Sequence, residues 1–322
     1  MKKLNFAWEH GVVVFLVVVI GVGSVISPYF ATTDNLSFVI QDVAEIAIIA
    51  LAMTYLIIAG EIDLSVASTL NLASASIGFA FRNGIPFESA LLIGLAVGLI
   101  CGLINGYLVT VIGLPSLAVT IGTLALYRGL AYALLGNEPV NELPEAWVTL
   151  GYTNIPNTFL PWTTIPVVIL AAIAWIVLHY TRVGRWTFAI GINAEAAKFS
   201  GIPVARMKLA LFGVTGLMSG VAGVVYTLRF ASASPDGAVG YELGVIAAVL
   251  FGGVSIAGGI GSLWGVLAAV LSLGAIRSAL QLADFSANAL LVVSGALLLV
   301  SVVVPRAIVI VKGRRKSVAP KK

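Results

Sequence analysis

Ala59-Gly60-Glu61-Ile62-Asp63-Leu64-Ser65-Val66-Ala67-Ser68 sets two carboxylates between two long apolar runs. The apolar text on either side reads as two helices, and Gly60 permits the backbone break that joins them. Asp63 followed by Ser65 offers N-cap chemistry for the helix that continues to Ile77. An ionised acid at mid-bilayer costs roughly 2.5 to 3.5 kcal/mol even on lenient insertion scales, so such groups usually face water, protein or a transport path. The competing reading is plainer: Asp63 caps a helix at the membrane surface and Glu61 is solvated there.

Working outward, composition fixes the class. The 322 residues are 60% hydrophobic and 10% charged, with a mean hydropathy of +1.07. That excludes an ordinary soluble domain and predicts an all-α, polytopic membrane protein in one domain over 1–322. Apolar runs lie at 11–29, 36–59, 64–81, 89–112, 115–135, 165–180, 208–228, 243–256, 263–282 and 287–304. At about 20 residues per crossing they predict roughly ten helices. The first could be mistaken for a signal peptide, but its length and the spans that follow make it a first helix.

Charge suggests an orientation, because short cytosolic loops collect Lys and Arg. With a cytosolic N-terminus, Lys2, Lys3, Arg182, Arg185, Lys198, Arg206, Lys208 and the basic residues from Arg306 to Lys322 fall inside, and both termini are cytosolic. The acidic, Pro-containing segment 136–164 then lies outside. Despite a pI near 9.2, no soluble basic face for nucleic acid emerges, since the basic residues flank apolar spans. Gly94, Gly98, Gly102 and Gly106 recur every fourth residue and predict a smooth ridge for close helix packing.

Chemistry is sparse. The sequence has no GxxxxGK[ST] phosphate loop, no HExxH, no paired-cysteine spacing and no complete GxSxG elbow; the single Cys101 sits in an apolar run. Catalytic residues, a metal site and a resident cofactor are therefore not expected. Arg277 stands inside the ninth run and needs a partner or water, with Gln281 and Asp284 near it in sequence. Polar side chains on the spans that suit a path for a hydroxylated molecule are Asn71, Asn105, Thr120, Thr123, Tyr127 and Ser255, beside Glu61, Asp63 and Ser65. Each could equally be packing glue between helices. In the basic stretch Gly184–Lys208, Asn193 can cap a short helix ended by Gly201 and Pro203, with Phe199 and Ile202 beside Glu195 and Lys198.

Four motifs give this pattern a resemblance. AGEIDLSVAS is similar to the GGIDLSVGS motif of the permease subunits of ABC importers for monosaccharides, a family that includes ribose, xylose, arabinose, rhamnose and autoinducer-2 permeases. LPSLAVTIGTLALYRGLA from Leu114, GINAEAAKFSGIPV from Gly191 and AVLFGGVSIAGGIGSLWG from Ala248 resemble its further motifs in order. Glu61 and Ala67 stand where the family usually has Gly, and the acidic variant looks most like the rhamnose-type branch.

The resemblance implies a bacterial inner-membrane, multi-pass subunit working as a homo- or heterodimer. A separate ATPase that uses the ATP and a periplasmic sugar-binding protein would complete the importer. It also implies a coupling helix at Asn193, Glu195, Lys198, Phe199, Gly201 and Ile202, while the polar side chains themselves offer the path or gate candidates Glu61, Asp63, Ser65, Asn71, Asn105, Thr120, Thr123 and Ser255. The alternative is an ion-coupled secondary transporter using Asp42, Glu45, Glu61 and Asp63.

Overall fold

The computed structural model describes residues 2–286 together with 292, 295, 296, 299 and 303. The tenth apolar run, 287–304, and the basic tail therefore lie outside the continuously described chain. Among the described residues the chain is all-helical, with two isolated bridges (Val140 with Ala233, Asn154 with Pro161) and no strand. In chain order the helices are α1 (Lys2–Ile26), α2 (Thr33–Asp42), α3 (Ala44–Ile58), α4 (Val66–Arg82), α5 (Phe87–Thr110), α6 (Ser116–Leu135) and α7 (Glu145–Tyr152). Then come α8 (Thr164–Tyr180), α9 (Arg182–Ile192), α10 (Ala194–Phe199), α11 (Val204–Arg229), α12 (Tyr241–Phe251) and α13 (Leu263–Leu282).

Four of these, α5, α6, α11 and α13, are long and apolar enough to cross a membrane singly. Two bent pairs also qualify: α2 with α3 at 43°, and α8 with α9 at 69°. The second predicted span is thus two helices meeting at Val43. Most of the basic stretch after Tyr180 is helical as well, since α9 precedes the expected short helix and α11 begins at Val204. The segment 136–164 contains the short helix α7.

The centre of the bundle is α3, every residue of which is buried. A helix that is apolar all round belongs in such a place. Exposed Val13, Val17, Ile121, Val168, Ile169 and Ile173 on α1, α6 and α8 give the outside an apolar surface suited to lipid. The glycine ridge works inside the chain: Gly98 and Gly102 on α5 face Gly216 and Gly220 on α11, and a Cβ at any of these positions would press on the facing helix. Small residues here let two backbones approach within direct contact.

The helices alternate between two ends. At one end meet Trp8, whose Nε1 donates to Phe251 O at 2.8 Å, and the turn after α3, whose Ile58 O accepts from Gly259 N at 2.8 Å. Helices α9 and α10 close the same end, which we call the Gly60 end. At the other, Ser37 Oγ donates to Asn154 Oδ1 at 2.7 Å and Ser278 Oγ to Asn35 Oδ1 at 2.7 Å.

Candidate path and coupling sites

The α3–α4 turn is a helix end, a left-handed Gly60 (φ +83°), and a new helix whose cap residue is Ser65. Asp63 is not the cap residue itself. Its Oδ1 accepts from Ser65 N at 2.8 Å and Ser65 Oγ at 2.6 Å, an Asx turn that fixes the approach to α4. From α5, Asn105 Nδ2 donates to Ser65 Oγ at 2.8 Å and to Asp63 Oδ2 at 3.3 Å. Tyr127 on α6 donates to Asn105 Oδ1 at 3.2 Å or to Cys101 O at 3.1 Å. Asp63, Ser65, Asn105 and Tyr127 are all buried, so this is a closed polar knot tying the turn to α5 and α6. Full satisfaction inside a low-dielectric bundle is what makes such a knot rigid.

Thr120 joins its margin, since its Oγ1 donates to Ser116 O at 2.8 Å and lies 3.5 Å from Ile62 O; Thr123 lies behind it, 3.5 Å from Thr120 O. Two candidates sit elsewhere. Asn71 is buried further along α4, where its Oδ1 accepts from Ala238 N at 3.1 Å while its Nδ2 has no partner among the described residues. Ser255 lies in the glycine-rich turn between α12 and α13, where its Oγ accepts from Ala257 N at 3.3 Å.

Glu61 turns away from the knot. Its Oε1 meets Lys208 Nζ at 2.5 Å, with the two side chains 13% and 17% exposed. The pair borders a cavity of about 470 Å³ lined also by Val109, Thr110, Lys198, Ile202 and Arg206. Beside it, Asn193 Oδ1 accepts from Ala196 N at 2.9 Å and starts α10. Gly201 (φ +83°) and Pro203 end that segment. Asn193, Glu195 and Lys198 are solvent-facing, and Phe199 is 91% exposed, whereas Ile202 packs against the core. Gly191 lies against the backbone of Ile58 and Gly259, so α9 touches the end of α3 directly.

A second charged group lies towards the other end. Arg229 Nε donates to Glu45 Oε1 at 2.8 Å, with Asp42 Oδ1 3.5 Å from its NH1, and its guanidinium lies 4.3 Å from the Phe230 ring centroid. Arg277 finds Asp42 at 3.9 Å, a partner on α2 rather than Gln281 or Asp284. Two acids and two arginines thus balance where α2, α3, α11 and α13 converge. Glu45 Oε2 and the Nε and NH2 of Arg128 are buried without partners among the described residues. Sequence reasoning named Glu61, Asp42, Glu45 and Arg277 but missed Lys208 as the counterpart of Glu61 and Arg229 as that of Asp42 and Glu45. Among the described residues, no cluster of three or more His, Cys, Asp or Glu side chains is arranged to hold a metal ion.

Residues 35–302 match the family model described as the branched-chain amino acid transport system permease component. The chain is 36% identical over 307 residues to the autoinducer 2 import system permease protein LsrD of Escherichia coli strain K12, covering 94% of this chain and 92% of that protein. The Shigella flexneri protein of the same name gives the same figures, and that of Escherichia coli O157:H7 is 35% identical over the same span. No solved structure matches. Similarity over this length, together with apolar helices that can cross a membrane, shows that the chain belongs to this importer permease family and is a multi-pass protein of the inner membrane.

Proposed function

We propose that this chain is the membrane-spanning subunit of an ABC importer for autoinducer-2 or a related monosaccharide-like molecule. A separate ATPase would drive it, a periplasmic binding protein would feed it, and a second permease chain would pair with it. The observation that carries the reading is near-full-length similarity to permeases named for autoinducer-2 import. It favours that ligand over rhamnose, to which only the acidic residue at Glu61 points.

In this reading the knot of Asp63, Ser65, Asn105, Thr120 and Thr123 holds the inner gate shut. Asn71, whose amide Nδ2 has no partner among the described residues, faces the passage, and Ser255 and Glu61 belong to turns that move when the gate opens. Asn193, Glu195, Lys198, Phe199, Gly201 and Ile202 form the coupling element. The exposed Phe199 is its apolar anchor, and Glu195 and Lys198 are its polar rim. The ion-coupled alternative is the weaker reading, because at least one oxygen of each of its four acids already meets a basic, hydroxyl or amide partner.

Uptake of labelled autoinducer-2 into proteoliposomes tests this. Transport is expected only with the ATPase, ATP and the binding protein present, with autoinducer-2 outcompeting rhamnose and ribose. Phe199→Asp is expected to release the ATPase on purification and stop uptake. Uptake by the purified chain alone under an ion gradient would overturn the proposal.

A further inference from the structure

We infer that the Glu61–Lys208 ion pair is a strut through which the 193–203 loop moves the α3–α4 turn, so that these two residues are positioning residues for transport. The inference rests on the importer reading above and adds to it the point where force crosses between elements. Glu61 is held to the end of α3 by its own backbone, since its N–H donates to Leu56 O at 3.0 Å. Two residues further on, Asp63 is fixed by the buried knot. Lys208 stands one turn into α11, immediately after the corner formed by Gly201 and Pro203. That corner is itself tied to α10, because Ile202 N donates to Ala197 O at 3.1 Å. A displacement of α10 therefore reaches the first turn of α11, and the ion pair carries it across 147 positions of sequence to the turn.

Three features separate a strut from a packing contact. Both side chains retain some exposure, so the pair is not a sealed charge whose loss must unfold the protein. The cavity of about 470 Å³ beside it leaves the corner room to shift. Finally, no second ion pair shares the load: neither Lys198 nor Arg206, the other cations lining that cavity, has an acidic partner among the described residues.

The test measures uptake and ATP hydrolysis on the same reconstituted importers. Glu61→Lys and Lys208→Glu are each expected to lower uptake at least about tenfold, because like charges then face each other. ATPase association is expected to be retained, and hydrolysis to stay within about twofold of wild type, which a merely destabilised complex would not show. The double exchange restores the attraction with reversed sign and is expected to bring uptake back to within about threefold of wild type. Glu61→Gln with Lys208→Met removes both charges and serves if a single variant folds poorly; it is expected to insert normally and transport as badly as the singles.

Normal uptake by the singles or by the neutral pair, or a double exchange no better than the worse single, would overturn the strut alone. Absence of ATP-dependent uptake by the wild-type assembly would instead overturn the importer reading, and the strut with it.

Discussion

Asp63 is 1% exposed and is held by one backbone N–H, one hydroxyl and one amide. Asp63→Ala strands the donors of Ser65 in a dry site, and leaving a buried donor unsatisfied costs roughly 1 to 3 kcal/mol. A loss of that size is expected in thermal unfolding of the detergent-solubilised protein, with uptake impaired. Asp63→Asn should lose less, since an amide oxygen still accepts from Ser65 N. Arg229 is the harsher case. Arg229→Ala leaves Glu45, 0% exposed, without its cation, and breaking a buried pair by removing one partner costs about 3 to 5 kcal/mol. Adding Glu45→Leu should return most of that loss in the same melting measurement, because a buried pair replaced as a whole is often neutral. The local half of this chemistry was legible: Asp63 and Ser65 are two residues apart, and Asx turns are short-range. The partners Asn105, Lys208 and Arg229 were not, since they lie 42, 147 and 184 positions from Asp63, Glu61 and Glu45, and spacing carries no tertiary neighbours.

At the scale of elements, hydropathy located the membrane helices because burial in lipid and burial in a bundle both demand apolar side chains. It could not see the Val43 break, which no Gly or Pro marks, nor α9, whose residues Arg182, Arg185 and Trp186 read as a basic loop. The four-residue glycine repeat was legible as a packing ridge, but its partner on α11 was not named by it. That seam makes a sharp expectation. Gly102→Leu forces a side chain into Phe212 and Gly216 of the facing backbone, whereas Gly122→Ala on α6 meets nothing within 4 Å. Size-exclusion profiles of fluorescently tagged protein should therefore show Gly102→Leu aggregated or absent and Gly122→Ala like wild type. Overpacking costs roughly 1 to 3 kcal/mol where side chains can yield, and backbone on backbone yields least.

At the scale of the whole molecule, the two ends differ in charge, and the difference argues for an orientation. The Gly60 end exposes Arg182, Arg185, Lys198 and Arg206 with Glu195 as their exposed acid, while the opposite end exposes Asp34, Glu88, Glu138, Glu142, Glu145 and Asp236 with Arg82 as its exposed base. Short loops rich in Lys and Arg stay on the cytosolic side during insertion, so the Gly60 end should face the cytosol and the 136–164 segment the periplasm. The same orientation places α10, with its exposed Phe199, where an ATPase can reach it, so topology and proposed function stand on one measurement. A reporter active only in the periplasm is expected to work when fused at Asn154 and to fail at Lys198. The reverse pattern would put the exposed Phe199 on the wrong side of the membrane for any cytosolic ATPase. The importer proposal would then lose its coupling element, even though the fold and the family would stand.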